Sequence, residues 1–269
     1  MAGALTAGAL RELDLTPKPG LVDRHDNGSH PDLTYAKMRA SVCLLPRYYA
    51  DLLERLQAGR PLASCIEAGR LAEARMMAQV GANTHRGYIF LSGLTLIAAH
   101  RVQGDAQWLP DAIAEAAREF FRIASSEDSH GCQARRAFKV GGIRREAEAG
   151  LPAVFEAAWP VYAESLRQDG DHRRAAYHAM AALMRRLEDT TALHRCGLAG
   201  LRRLRTDGKL LEALLDRGDD PRSFLARRNE EYRQVGLTMG GVADCLALTF
   251  ALGAALAQIP LAPFVEIEA

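Results

Sequence analysis

The sequence predicts an all-α protein: a single globular domain of many helices, two of them apolar and central. The chain is 48% hydrophobic but only 6% aromatic, and runs of β-branched residues bounded by turns are hard to find. Apolar residues instead recur at helical spacing, as in residues 52–56 and 154–166. Breaks between these segments are short, so we expect one domain over residues 1–269, without a linker.

Glycine and proline divide the chain into about ten predicted helices. The expected breaks lie near residues 59–61, 104–105, 141–142, 150–152, 169–171, 207–208 and 217–221. Two segments stand apart, because residues 88–99 carry no charge and Asp244 is the only charged side chain in residues 237–259. These should be central helices that are apolar on all sides. A membrane span is the alternative for the second segment, but Gly240, Gly241 and Asp244 interrupt it.

Composition excludes several classes of function. The 34 Lys and Arg residues nearly cancel the 33 Asp and Glu residues, so no overall field recruits nucleic acid or an anionic membrane. The N-terminus has no basic region ahead of a long apolar one, which predicts a cytoplasmic protein. The five cysteines are scattered and form no CxxC pair, which argues against a disulfide framework and a zinc knuckle.

The segment GANTHRG, residues 81–87, opens the first apolar helix. Asn83 or Thr84 is a natural N-cap, which places His85 and Arg86 in the first turn. Positive charge is unfavourable at that end of a helix, so this pattern predicts an anion there, such as phosphate. The alternative is a solvated helix end.

The segment LTMGGVAD, residues 237–244, opens the second apolar helix. Thr238 can cap it, and Gly240 and Gly241 allow a phosphate or ribose to approach the backbone. Asp244 would be costly to bury unless it is paired, hydrogen-bonded or bound to a metal. The alternative is a carboxylate that merely favours the helix dipole.

Glu73 falls on the inward stripe of its helix, with Ile66, Met76 and Met77. An inward glutamate needs Mg²⁺, an arginine or a ligand hydroxyl as its partner, and a structural ion pair is the alternative. The segments at 141–146 and 188–195 also set carboxylates beside basic groups, as a triphosphate with its metal requires. Taken singly, each of the two segments is more often a solvated surface.

The segment KPGLVDRHDNGSH, residues 18–30, is rich in groups that do chemistry. Its Pro-Gly and Asp-Asn-Gly turns suit an ordered loop, and an exposed N-terminal loop is the alternative. Known nucleotide signatures such as GxxxxGK[ST] and GxGxxG are missing. A nucleotide would therefore bind in an unfamiliar helical cradle.

The order of PKPGLVDRHDNGSH, GANTHRG, GGIRREAEAG, DTTALHR and LTMGGVAD resembles the triphosphoribosyl-dephospho-coenzyme A synthase family, which serves citrate lyase and malonate decarboxylase. The resemblance runs from Thr16 to Leu256 and favours the malonate decarboxylase branch. It implies an all-helical transferase that joins ATP to 3′-dephospho-coenzyme A and releases adenine. The product would be the precursor of a prosthetic group, and the downstream transferase or the acyl carrier subunit would be partners.

The resemblance and the residues together suggest roles at the site, with Mg²⁺ as the expected cofactor. The expected catalytic residues are Glu73, Asp244 and Asp23, and the expected Mg²⁺ ligands are Glu73, Asp189 and Asp244. The residues expected to bind ATP or the second substrate are Lys18, Arg24, His25, Asn83, Thr84, His85, Arg86, Arg144, Glu146, Arg195, Gly240 and Gly241. Two other functions stay open: hydrolysis of an N-ribosyl bond, and a non-catalytic helical binding protein.

Overall fold

The computed structural model describes residues 1–82, 84–103, 105–124, 140–257, 259 and 264, and this part of the chain is helical without strands. The α-helices are α1 (Ala2–Asp14), α2 (Tyr35–Val42), α3 (Leu45–Gln57), α4 (Leu62–Val80), α5 (Arg86–Arg101), α6 (Leu109–Ile123), α7 (Gly142–Glu148), α8 (Trp159–Asp169), α9 (His172–Arg186), α10 (Thr190–Asp216), α11 (Arg222–Val235) and α12 (Gly240–Leu256). A short 3₁₀ turn, Ala106–Trp108, precedes α6, and a π-helical turn, Ala153–Ala158, leads into α8. The all-α prediction is confirmed.

The helix α12 lies at the centre of the fold. Its residues from Val242 to Gly253 are almost all buried, and α1, α5, α9 and α10 pack around it. The second apolar helix, α5, is buried from Tyr88 to Ala98 with only Phe90 partly exposed, and it packs against α12, α6, α3 and α4. Both predicted central helices are therefore confirmed. Among the described residues, no helix is long and apolar enough to cross a membrane.

A close approach of two backbones fixes α1 against α12. A Cβ atom on Gly8 would lie 2.3 Å from the Ala247 carbonyl oxygen and 2.9 Å from the Ala251 Cβ. Only glycine fits at this crossing. Glu12 lies one turn further along α1. Its charge contributes to the raised pKa of Asp244, near the start of α12.

Two details of the predicted helices are wrong. No helix ends at Asp207 and Gly208, because α10 runs through them and its irregular residue is Gly197, with φ 60° and ψ −159°. Asp207 is buried, where it pairs with Arg203 at 2.7 Å and Arg228 at 3.4 Å. Met77 does not face inward, since 52% of its surface is exposed.

We predict opposite effects for two Gly→Ala substitutions within α1. Gly8→Ala should lower the free energy of unfolding by about 1 to 3 kcal/mol, because the added methyl group meets backbone that cannot move away. Gly3→Ala is the matched control: nothing lies within 4 Å of its Cβ position, so higher helix propensity should raise stability by up to about 1 kcal/mol. Urea unfolding followed by circular dichroism measures both. Equal effects of the same sign would contradict the proposed α1–α12 contact.

Candidate active site

A cavity of about 780 Å³ lies where the starts of α5 and α12 meet the end of α1. One face of α4 and one face of α5 line its long sides, and the loop that follows α1 closes another side. Eight of the residues selected from the sequence line it: Glu73, Thr84, His85, Arg86, Arg144, Gly240, Gly241 and Asp244. This cavity is therefore the candidate active site.

The loop of residues 18–30 forms a fixed wall of this cavity. The Gly20 N–H donates to Asn229 Oδ1 at 2.9 Å, and Ser29 Oγ donates to the Leu237 carbonyl oxygen at 2.6 Å. His30, which lines the cavity, has its Nε2 atom 3.0 Å from Thr238 Oγ1. These contacts tie the loop to α11 and to the connection between α11 and α12, so the loop is an ordered part of the site.

Two charged residues of this loop, Lys18 and Asp23, make contacts within the protein and do not line the cavity. Lys18 is fully buried, and its ammonium group lies 2.5 Å from Glu12 Oε1. Asp23 is buried too, and its carboxylate accepts the backbone N–H groups of Lys18, His25 and Asp26 at 2.8 to 3.2 Å. Such a carboxylate shapes the loop. Neither Lys18 nor Asp23 lines the cavity, so the structure does not bring them to the substrate.

Two further loop residues and one helix residue also lie outside the cavity lining. Arg24 pairs with Asp14 at 3.1 Å, and His25 is exposed. Arg195 donates from Nη1 to the Ser29 carbonyl oxygen at 3.0 Å and so fastens the loop. The expectation that Arg24, His25 and Arg195 contact ATP directly finds no support in these positions.

Asp189 holds the starts of two helices at once. Its Oδ1 atom accepts the backbone N–H groups of Thr191 at 2.9 Å and Ala192 at 3.0 Å, and so caps α10. Its Oδ2 atom accepts the Val242 N–H at 2.9 Å, at the start of α12. Thr191 Oγ1 accepts the Gly240 N–H at 2.7 Å. The predicted cap from Thr238 is wrong, because Asp189 and Thr191 accept the backbone N–H groups at the start of α12. Both carboxylate oxygens of Asp189 accept backbone N–H groups, and Asp189 does not line the cavity.

Burial favours the neutral form of His85, contrary to the prediction of a cation. Its Nδ1 atom lies 2.7 Å from Ser41 Oγ and 2.9 Å from Thr84 Oγ1. Thr84 donates to Ser41, and Ser41 donates to the Met38 carbonyl oxygen, so we assign the ring proton to Nδ1, which leaves a lone pair on Nε2. Burial and the nearby Lys18 charge lower the pKa of His85 to about 4. Of His85 and Arg86, only Arg86 therefore carries a positive charge at the start of α5.

The helix start differs in one further way from the prediction. Thr84 uses its hydroxyl on Ser41 and His85, and the residue that precedes α5 is His85, with no side-chain cap. Asn83 lies outside the described residues. Because Gly87 and Tyr88 have no preceding turn of helix, their N–H groups belong to the unpaired end of α5 that opens on the cavity.

Asp244 sits against this end of α5. A Cβ atom on Gly87 would lie only 1.9 Å from Asp244 Oδ2, so the glycine makes room for the carboxylate. Burial, followed by the charges of Glu12 and Asp189, raises the pKa of Asp244 well above its usual range. Burial also raises the pKa of Glu12. No hydrogen-bond partner of Asp244 occurs among the described residues, so it remains available to a ligand.

Glu73 lies across the cavity on α4. Its Oε2 atom is 3.3 Å from Arg86 Nε, and 29% of its side chain is exposed. The ion pair that was the alternative for Glu73 is thus present, inside the cavity. At the far rim, the Arg144 guanidinium lies over the Phe121 ring at 4.5 Å. Glu146 does not line the cavity, because its Oε1 atom accepts the Ala153 N–H.

The described residues include no group of three or more His, Cys, Asp or Glu side chains that would hold a metal ion by themselves. Mg²⁺ in nucleotide enzymes is commonly held by one or two carboxylates together with phosphate oxygens. Glu73 and Asp244, which both line the cavity, fit that donor set when a triphosphate supplies the remaining ligands.

Sequence reasoning missed several lining residues, namely Glu12, His30, Tyr88, Thr190 and Thr191. Glu12 lies in an ordinary amphipathic helix and carries no motif. A signal existed for His30, which ends the loop motif, and for Thr190 and Thr191, which follow Asp189. Their importance depends on contacts between distant segments.

We predict that His85 makes the protein less stable in mild acid. Its pKa of about 4 in the folded protein lies below the value near 6.5 in the unfolded chain. The unfolded chain therefore binds more protons between these values, and stability falls as pH falls from 6.5 to 4. At pH 5 this loss should be about 2 kcal/mol relative to pH 7.5. Urea unfolding at both pH values should show a smaller loss in His85→Gln, and an identical loss would refute the assignment.

Comparison with known proteins agrees with these features. The family model of ATP:dephospho-CoA triphosphoribosyl transferase matches residues 1–260. A relative from Klebsiella pneumoniae, named 2-(5″-triphosphoribosyl)-3′-dephosphocoenzyme-A synthase, is 35% identical over 262 residues, which cover 94% of this chain and 93% of the relative. Relatives from Azotobacter vinelandii and Pseudomonas syringae, named as probable synthases of this kind, are 36% and 35% identical and cover 92% and 88% of this chain and 89% and 84% of their own lengths.

No solved structure matches the chain significantly. The family match runs through every segment that builds the cavity. The chain belongs to the ATP:dephospho-CoA triphosphoribosyl transferase family.

Proposed function

We propose that this transferase joins ATP to 3′-dephospho-coenzyme A and releases adenine, which gives 2′-(5″-triphosphoribosyl)-3′-dephospho-coenzyme A. The observation that carries the proposal is one cavity that brings Asp244 to the open end of α5, with His85 beside it and Glu73 across it. The names of the relatives support the same reaction. The motif forms support the malonate decarboxylase branch, whose acyl carrier subunit or prosthetic-group transferase would receive the product.

The reaction breaks the bond between C1″ of the ATP ribose and N9 of adenine, and it forms a bond from C1″ to the 2′ oxygen of the acceptor. The acceptor hydroxyl loses a proton, and the departing adenine gains one. Positive charge develops on the ribose as the C–N bond lengthens, as in glycoside cleavage. The site must therefore hold one group that gives a proton and one group that takes one.

Asp244 is suited to give the proton to adenine. Burial keeps its carboxyl protonated to higher pH than that of an ordinary aspartate, and a carboxylic acid held neutral in this way acts as a general acid. His85 is suited to accept the hydroxyl proton, because the hydrogen bonds on Nδ1 leave the lone pair on Nε2. The hydroxyls of Ser41 and Thr84 keep the ring from turning over.

The triphosphate is handled by binding. The unpaired N–H groups at the start of α5 favour an anion, and Arg86 adds a charge in the first turn of that helix. Glu73 is the carboxylate best placed to hold Mg²⁺, which would neutralise charge on the phosphate oxygens. Gly240 and Gly241 line the cavity near Asp244, whose protonated carboxyl serves as the acid and leaves Glu73 as the carboxylate for the ion.

The direct test is to incubate the purified protein with ATP, Mg²⁺ and 3′-dephospho-coenzyme A and to follow the products by chromatography with mass detection. We expect adenine and the triphosphoribosyl adduct in equal amounts. Adenine that forms without the adduct, and without need of the acceptor, would identify an N-ribosyl hydrolase. If neither product forms and ATP with Mg²⁺ does not stabilise the fold, the chain is a binding protein.

We predict that Asp244→Asn slows the reaction and stabilises the fold. Loss of the proton donor should slow adduct formation at least about 100-fold. The raised pKa means that ionising Asp244 opposes folding as pH rises, so the variant should unfold at higher urea concentration than the native chain at pH 8. A variant that is inactive and also less stable would show that Asp244 has a structural role instead.

We predict that Glu73→Gln loses at least about 100-fold in adduct formation while Glu67→Gln stays within twofold of the native chain. Glu67 lies on the same helix but is exposed and does not line the cavity, which makes it a matched control. A Mg²⁺ titration should show that Glu73→Gln needs more of the ion. A fully active Glu73→Gln protein would remove this residue from the site.

A further inference from the structure

The cavity continues from the proposed reaction centre into an apolar groove between α4 and α5. Along α4, its lining residues recur at helical spacing from Leu62 to Glu73. Along α5, they are consecutive from Arg86 to Phe90, at the open end of the helix, and then recur at helical spacing as Gly93, Leu94 and Ile97. Such spacing places them on one face of each helix. Glu73 on α4 lies near the start of α5, where its Oε2 atom is 3.3 Å from Arg86 Nε.

The far half of the cavity, which we call the apolar groove, is lined by Leu62, Ile66, Leu94, Ile97, Phe120 and Phe121. The rings of Phe120 and Phe121 are packed at 5.2 Å and both contact Phe90. From Gly87 to Ile97 the groove runs about 15 Å, at 1.5 Å per residue. A polar reaction centre thus opens into a long apolar channel.

We propose that the apolar groove binds the pantetheine arm of dephospho-coenzyme A, an assignment that rests on the function proposed above. This arm is a flexible chain with a dimethyl group, methylenes and two amides, about as long as four extended residues, ~14 Å. It matches the groove in both length and polarity. ATP carries no comparable chain, so the groove distinguishes the acceptor from the donor.

Adenine fits the groove less well. A purine is a flat ring whose edge nitrogens need hydrogen-bond partners, and they would be left unpaired between leucine and isoleucine side chains. The arm has two amides and one hydroxyl to satisfy, and these groups are separated by apolar stretches. Tyr48 Oη lies over Gly93, where an added Cβ would be 2.1 Å away, and it donates to the Ile89 carbonyl oxygen at 3.2 Å. Its remaining lone pair is available to an amide N–H.

A charged residue, Arg70, lies along α4 between the proposed reaction centre and the apolar groove. Arg70 lines the cavity from α4, one residue after Gly69 and three before Glu73. This is the position that the diphosphate of dephospho-coenzyme A would pass, if its 2′ hydroxyl lies near Asp244 and its arm lies in the groove. The order of groups along the groove therefore follows the order of groups along the ligand.

Gly69 offers a way to close the groove without damage to the fold. It lines the cavity, and the nearest atoms to an added Cβ, Tyr48 Oη and Ile89 Cγ2, are at 3.8 and 3.9 Å. A larger side chain therefore starts from ordinary contact and extends into the groove. Substitution of a glycine inside a helix also raises helix propensity.

The test is calorimetric binding of dephospho-coenzyme A and of ATP with Mg²⁺ to the native chain, Gly69→Ala and Gly69→Leu. We expect Gly69→Leu to weaken dephospho-coenzyme A binding at least tenfold and to leave ATP binding within twofold, with a smaller effect for Gly69→Ala. Phe121→Ala, which removes a wall of the groove, should weaken the same ligand. In the native chain, 4′-phosphopantetheine should compete with dephospho-coenzyme A.

Other patterns overturn the assignment. Weaker ATP binding with unchanged dephospho-coenzyme A binding would place the ATP base in the groove, and no change for either ligand would mean that neither ligand enters it. Equal loss for both ligands would also refute the selectivity claimed. The proposed function fails separately: in that case the native chain yields no adduct, whatever the binding measurements show.

Discussion

The candidate active-site cavity depends on one carboxylate that satisfies two helix ends. Helix starts leave backbone N–H groups without partners, and the starts of α10 and α12 lie close to each other in the interior. Asp189 accepts from both, with two bonds to α10 and one to α12, while Thr191 takes the Gly240 N–H. With these donors satisfied by protein, α12 can begin beside the cavity and still present Asp244 to it.

A second constraint is buried charge, which the fold distributes unequally. Glu12 has a direct counter-ion in Lys18, so the pair offsets part of its desolvation. Asp244 has no such partner among the described residues, and its environment favours the protonated form. His85 is likewise driven to its neutral form. The interior thus favours the neutral forms of two titratable groups that line the same cavity, the carboxyl of Asp244 and the imidazole of His85.

The sequence predicted what depends on local pattern. The two central helices follow from uncharged runs, and Glu73 was found because its spacing with Ile66 is helical. The sequence misled where a long-range contact replaced a local one. Asp207 and Gly208 look like a break, yet Gly208 only lets α9 approach, with Met184 Cβ 2.8 Å from an added methyl group. Thr238 looks like a cap, and the capping groups come instead from residues about fifty positions earlier. Lys18 looked like a phosphate ligand because its burial against Glu12 leaves no mark in the sequence.

A transferase of this kind must also keep water from taking the place of the acceptor, since water and a ribose hydroxyl react with the same oxocarbenium-like centre. Proton transfer cannot discriminate between them, because both nucleophiles lose a proton to the same base. Discrimination has to come from holding the acceptor in place, which is worth several kcal/mol when the reacting atoms are aligned. A groove that binds the unreactive pantetheine arm supplies this energy at a distance from the bond being formed. The apolar groove between α4 and α5 would then favour transfer over hydrolysis, although none of its side chains takes part in the chemistry.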